Sequence, residues 1–216
     1  QTAYAGGSGA VSLGTSAIAN GLQSFAFGGT TTGAYSVALG GIATGSVAVC
    51  LRGGTASGDY SLAVGQQSVA SKHGQKAFAN GRFSADGDAQ GSIFILRADT
   101  TDATATVLTT NNSTAGSTNQ IVAASDTCIT FDGTITAMQN GAQAYASWKI
   151  EGLLVNDGGT TTLANSATTV IQNLSSWGMA LSADNTNNAL AITVTGEAAH
   201  NIRWVANIRT TEVTYA

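Results

Sequence analysis

Glycine recurs at positions 14, 21 and 28 in the stretch 12–29, SLGTSAIANGLQSFAFGG, with small and apolar residues alternating before each one. Read backwards from glycine, the same template (small, apolar, small, apolar or Asn, Gly) returns as AVSLG, AIANG, SFAFG, SVALG, SLAVG and AFANG between residues 10 and 81. A seven-residue period raises the possibility of a coiled coil. A helical heptad would carry Leu, Glu, Lys and Arg, whereas this one holds Gly in every period and a Ser/Thr/Val mixture that disfavours helix. Collagen requires glycine at every third residue and is also excluded. Alternation over four residues is the mark of a short strand, with Val11 and Leu13 on one face and Ala10 and Ser12 on the other, and each glycine is expected to permit the turn that follows. The position before glycine alternates along the first copies as Leu13, Asn20 and Phe27, so the structural unit is a coil of fourteen residues with two strands and two turns. Such coils cannot bury an apolar face alone and must stack on their neighbours.

The pattern S-h-A-h-G at residues 36–40 and 61–65 resembles the head repeat of the YadA-type trimeric autotransporter adhesins. The resemblance covers roughly residues 8 to 87 and implies a left-handed parallel β-roll packed as a homotrimer. Departures from the regular count near Thr30 to Thr32, near Cys50 to Gly54 and after Gln66 predict loops or a slipped coil there. Ala26, Ala38 and Ala63 are expected to face neighbouring subunits.

After GRFSADGDAQGS (81–92) the repeat stops and longer strands begin, giving a shaft over 1–87 and a head over 88–216. Strands are predicted at 92–98, 104–109, 120–123, 128–131, 134–139, 142–154, 167–172, 177–183, 189–195 and 202–213. The turn signals between them include DG (132–133), NG (140–141), NDGG (156–159) and DNTNN (184–188). About ten strands so separated argue for an antiparallel β-sandwich. Ile202, Trp204, Ala206 and Ile208 share one face, and Trp148, Trp177 and Trp204 each sit in a strand beside apolar partners, which favours packing over ligand stacking. The succession ASWKIEGLLVNDG, WGMALSADNTNNALAITVTGE and IRWVANIRTTEVTYA resembles the closing β domain of phage tail fibres. A YadA-type adhesin would continue into a stalk and a membrane-anchoring segment, so an ending in a globular β domain favours the fibre tip.

Only 9% of the 216 residues are charged, against the ~25% usual in soluble domains, which suits a chain that hides surface in an oligomer. The net charge is −4 and the eight Lys and Arg are scattered singly, so no basic stripe awaits a nucleic acid. No run of ~20 apolar residues predicts membrane insertion. Gln1 in place of an initiating Met predicts an upstream fibre segment. Cys50 and Cys128 are expected as buried thiols, and with His73 and His200 they show no zinc spacing.

Chemistry is sparse. Asp132, Asp157 and Asp184 lie in turn-forming sequences, no G-x-S-x-G elbow is present, and DGDAQGS lacks the ligands of a calcium loop, which leaves a hinge as its reading. No cofactor, metal or catalytic residue is expected, and the chain is read as a non-enzyme. Receptor contacts belong on loops, and Asn111, Asn112, Asn119, Asp157, Asn185, Asn187, Asn188 and Trp177 are the candidates, the amide side chains among them suiting sugar hydroxyls. The expectation is therefore an all-β homotrimer, a parallel β-roll shaft followed by an antiparallel β-sandwich head, at the tip of a virion tail fibre. It would recognise a bacterial cell-surface receptor, a glycan by this reading. The head of a bacterial autotransporter adhesin and a glycan-cleaving tailspike are the alternatives.

Overall fold

A computed structural model of the chain describes residues 2–141, 143–173 and 176–215. It is all-β and divides into two compact units, residues 2–92 and Ile93–Tyr215.

The first unit is a parallel solenoid of six coils, each with a two-residue and a three-residue strand. The strands are β1 (Tyr4–Ala5), β2 (Val11–Leu13), β3 (Ile18–Ala19), β4 (Phe25–Phe27), β5 (Thr30–Thr31), β6 (Val37–Leu39), β7 (Ile42–Ala43), β8 (Val49–Leu51), β9 (Thr55–Ala56), β10 (Leu62–Val64), β11 (Val69–Ala70) and β12 (Lys76–Phe78). Odd-numbered strands pair in parallel with odd, and even with even. The register sets coil length directly. Tyr4 lies beside Ile18, Ile18 beside Thr30, Thr30 beside Ile42, Ile42 beside Thr55 and Thr55 beside Val69.

The two corners of a coil behave differently. The corner after each two-residue strand is constant in length, and its second position is Gly7, Gly21, Gly33, Gly45, Gly58 and, in the last coil, Lys72. A Cβ on any of these five glycines would overlap a backbone carbonyl one coil further on. These glycines are thus required by close stacking, with ordinary backbone angles, and Lys72 keeps its side chain where the series of coils ends. The corner after each three-residue strand varies: residues 14–17, 28–29, 40–41, 52–54 and 65–68. It opens on a left-handed residue each time, Gly14, Gly28, Gly40, Arg52 and Gly65, of which only Arg52 has a Cβ (φ 69). Thr30 to Thr32, Cys50 to Gly54 and the residues after Gln66 therefore hold no inserted loops. Thr30–Thr31, Cys50 and Val69–Ala70 are strand residues, and the irregular count comes from corners of two residues (28–29, 40–41) and three residues (52–54) beside those of four.

The interior is narrow. Ala19, Ala26, Ala38, Ala43, Cys50, Ala56, Ala63, Ala70 and Ala77 fill it, with Ser24, Thr31, Ser36 and Ser68 buried among them. Ala26, Ala38 and Ala63 consequently face their own coil and not a neighbouring subunit. The side chains that point out of the same strands are the large ones, Phe27 (56% exposed), Leu39 (41%) and Phe78 (61%). Burial pushes the Cys50 thiol up, against the hydrogen-bonding environment of Ile42 and Gly54. Past the last coil, the Gln90 side-chain amide imitates a strand, accepting from Val69 N (2.8 Å) and donating to Val69 O (2.9 Å). Asp88 closes the loop before it, its carboxylate accepting from the backbone N–H groups of Phe83, Ser84 and Ala85 at 2.6–2.9 Å.

The second unit contains β13 (Ala89–Thr100), whose first residues belong to the solenoid unit, then β14 (Thr106–Val107), β15 (Ile121–Val122), β16 (Thr127–Gln139), β17 (Tyr145–Asp157), β18 (Thr160–Asn173), β19 (Gly178–Asp184), β20 (Ala189–Thr195) and β21 (Ile202–Thr214). One sheet runs β18-β17-β16-β21-β13; in the other, β20 is flanked by β19 along one edge and by β14 and β15 along the opposite edge. The two sheets share one core, which includes Phe94, Leu96, Leu108, Ile121, Phe131, Ile135, Trp148, Ile150, Trp177, Leu190, Ile192, Trp204 and Ile208. Trp204 stacks on Trp148 (centroids 5.9 Å) and meets Trp177 at a tilt (5.7 Å).

Two sequence expectations change here. Asp132–Gly133 is no turn but the middle of β16, which runs unbroken between β17 and β21. A Cβ on Gly133 would strike Asn207 O and the Ile208 side chain, so this glycine serves close strand approach. β18 is more than twice the predicted length because its Thr-rich start lacks alternation. Ala142, the predicted start of the strand that becomes β17, lies outside the described residues.

Candidate receptor-binding site

In the second unit, the C-terminal ends of β13 and β16 and the start of β21 come together with Asn140 and Gly141, which follow β16. They line an opening of about 500 Å³ formed by Asp99, Thr100, Thr101, Met138, Gln139, Asn140, Gly141, Asn201, Ile202 and Arg203. Its floor is fixed from beneath. Trp204 Nε1 donates to Thr100 Oγ1 (2.9 Å), Asn140 N donates to Asn201 O (2.9 Å), and Ile202 is buried. Strand alternation sends Trp204 inward and Arg203 outward, which is why a rigid apolar layer underlies a charged rim.

Asp99 is the centre of the rim. Arg203 Nε donates to Asp99 Oδ1 (3.2 Å), and Asn112 Nδ2 reaches over from the 109–119 loop to Oδ2 (2.9 Å). Arg203 is 88% exposed, so this pair adds little to stability, and its terminal guanidinium nitrogens have no partner among the described residues. Met138 (62% exposed) lies across from both Arg203 and Tyr145 (47% exposed). A carboxylate, a guanidinium and an amide thus stand beside a thioether and a phenol. Such a set can hydrogen-bond hydroxyl or carboxylate groups of a ligand while covering its apolar face.

The sequence candidates separate into distinct places. Asn112 alone reaches the rim. Asn119 is buried and braces its own loop, donating to Asn111 Oδ1 (2.8 Å) and Thr114 O (3.0 Å) and accepting from Gly116 N (2.8 Å); Asn111 is thereby committed to the same brace. Asn185 accepts from Thr161 N (2.7 Å), Asn188 accepts from Thr161 Oγ1 (3.2 Å), and Asn187 donates to Asp184 Oδ2 (2.8 Å). Burial pushes the Asp184 carboxyl up, and hydrogen bonds from the Asn187 side chain and backbone and from Thr186 N outweigh it, holding the group below the usual carboxylate range. Asp157 is exposed at the β17–β18 hairpin. Trp177 is 3% exposed in the core, so as a receptor contact it is corrected to a packing residue. Asp99, Met138, Tyr145 and Arg203 escaped sequence reasoning because their proximity depends on β13, β16, β17 and β21 being neighbours.

Among the described residues no three His, Cys, Asp or Glu side chains gather as a metal site. In DGDAQGS, Asp88 points at N–H donors, an arrangement for an anion and not for calcium, and Asp86 pairs with Arg82 at 2.5 Å. On the exposed face of the β16–β17 pair Asp132 stands opposite Glu151. Each has its own cation, Arg209 at 2.7 Å and Lys149 at 3.6 Å.

No family model and no curated protein matches the chain. Solved structures do. The Acinetobacter baumannii phage AM24 tailspike protein aligns with 87% of this chain and 47% of its own length at 8% identity and a TM-score of 0.28. A tailspike from A. baumannii bacteriophage Fri1, a capsular polysaccharide depolymerase, aligns with 90% of this chain and 40% of its own at 12% identity and a TM-score of 0.31. The tailspike of a further Acinetobacter phage aligns with 89% and 47% at 11% identity and a TM-score of 0.27. The chain thus spans less than half the length of each. The expectation of a non-enzyme is corrected here, because one of these similar structures is described as a depolymerase.

Proposed function

We propose that the chain is the distal part of a homotrimeric bacteriophage tail fibre or tailspike, that its second unit recognises a bacterial surface glycan, and that the rim of Asp99, Asn112, Met138, Tyr145 and Arg203 is where the glycan docks. The carrying observation is that rim itself, a carboxylate and a guanidinium held side by side on a packed floor beside exposed Met and Tyr surface. Sugars present hydroxyls at their edges and C–H groups on their faces, and these residue types meet both. The oligomer is supported by the solenoid. No Asp, Glu, Lys, Arg or His occurs before Arg52, and the outward rows of Val11, Leu13, Phe27 and Leu39 expose apolar surface in register from coil to coil. Three copies on one cell would multiply a weak single-site contact. A left-handed winding and a place on the virion belong to the same reading.

The test uses the fluorescently labelled full chain, its Arg203→Ala and Asp99→Ala variants, and an Asn187→Ala control on a panel of intact bacteria, with soluble sugar measured in the medium. Loss of a charge-assisted contact should weaken binding by about 10-fold or more for the first two and leave the control unchanged. Equal binding by all four would move the receptor site elsewhere. Sugar released by the wild-type chain would add cleavage to recognition.

A further inference from the structure

β18 is a strand whose cover stops half-way. Its core-side residues pair in turn with Asn156, Leu154, Gly152, Ile150 and Trp148 of β17. At the start the pattern is ordinary, with Thr161 buried and Leu163 half-buried. From there to Gln172 every residue is exposed on both faces, although the β17 partners Ile150 and Trp148 remain in the core. Val170, directly beside Trp148, is 58% exposed, and Ile171, at a register shift, is 57% exposed. β18 is also the last strand of its sheet; the Thr161 N–H at its start is taken by Asn185, but over 164–172 the outer edge carries N–H and C=O groups with no backbone partner among the described residues.

Exposed edges are normally guarded by charge or proline. Here the segment 158–183 contains no Asp, Glu, Lys, Arg or His, and the chain contains no proline. The solvated face of the neighbouring strands is built otherwise, with Lys149, Glu151, Asp132 and Arg209 in ion pairs.

We propose that residues 164–172 of β18 form an interface with a second copy of this chain, pairing through the strand edge and covering Val170 and Ile171. Three observations select that occupant. An open strand edge is satisfied by backbone groups of another chain, and an uncharged segment offers a further copy of this chain no like charge to repel. The segment 164–172 has no aromatic ring to stack on a sugar and no charge for an ionic ligand. A strip ~30 Å long that wraps both faces of a sheet ~10 Å thick and its edge is of the same order as the ~800 Å² each partner gives to a standard interface. This rests on the preceding reading only for the presence of further copies, and it places the contact on a surface separate from the solenoid rows.

The experiment measures mass by light scattering, and backbone amide exchange, on the full chain and on two variants, Val170→Lys/Ile171→Lys and, on the opposite face, Thr169→Lys. The expected result is a wild-type multimer with residues 164–172 exchanging at least ~100-fold more slowly than in the variants. Each variant should dissociate at concentrations where the wild type does not, with an unchanged near-ultraviolet tryptophan signal showing an intact core. A wild-type multimer whose β18 amides exchange freely, or variants that remain fully associated, would overturn this interface and leave the oligomer reading standing. A wild-type monomer would overturn both.

Discussion

The solenoid and the antiparallel unit use apolar residues in opposite ways. In the solenoid the interior is Ala, Ser, Thr and Cys, and Phe, Leu and Val stand outside; in the antiparallel unit Trp, Phe, Ile and Leu are inside and Thr, Asn and ion pairs outside. The cause is geometric. Coils whose strands are two and three residues long enclose a channel whose inward strand residues are no larger than Thr, so their cohesion comes from the strand hydrogen bonds and the glycine-permitted stacking. Strands of up to fourteen residues in two facing sheets leave room for a layer of large side chains. Hydrophobicity of a residue type therefore does not say which way it points until the width of the enclosure is known.

That contrast can be broken most severely at Trp204. Trp204→Ala removes the ring between Trp148 and Trp177 and the donor to Thr100, and should cost about 3–5 kcal/mol, read as a fall in the unfolding midpoint of the antiparallel unit. A midpoint within experimental error of wild type would mean that this unit does not depend on its core as described. In the solenoid a methyl group is the better probe. Gly33→Ala drives a Cβ into Gly45 O and should cost about 2–3 kcal/mol, whereas Lys72→Ala, at the equivalent position of the last coil, should stay within about 0.5 kcal/mol. Equal midpoints for the two variants would refute the stacking account.

The mildest probe is acid. Burial pushes the Asp88 carboxyl up, but the backbone N–H groups of Ala85, Ser84 and Phe83 and the Ser84 hydroxyl outweigh it and hold the group below the usual carboxylate range. A folded value below the unfolded ~3.9 means that this stabilisation is present above that pH and is lost as pH falls through the folded value. Asp88→Asn should therefore flatten the acid limb of the solenoid's stability profile below pH ~4 and leave that of Asp184 in the other unit unchanged. An unaltered acid limb would sink the assignment.

The sequence legibly carried the solenoid, since stacking needs glycine at every corner and the repeat advertises it. It equally carried β20 at residues 189–195 and the inward face of β21 with Ile202, Trp204, Ala206 and Ile208, because alternation over several residues is a local signal. Tertiary structure decided what depends on neighbours distant in sequence: that Asp132–Gly133 lies within a central strand, that Ala26 and Ala38 face their own coil, and that Asp99 meets Arg203 across 104 positions. Turn propensity at Asp-Gly is local, but a glycine squeezed between two partner strands has the same letters. Which of these operates is set by the strands on either side, and no window of sequence contains them.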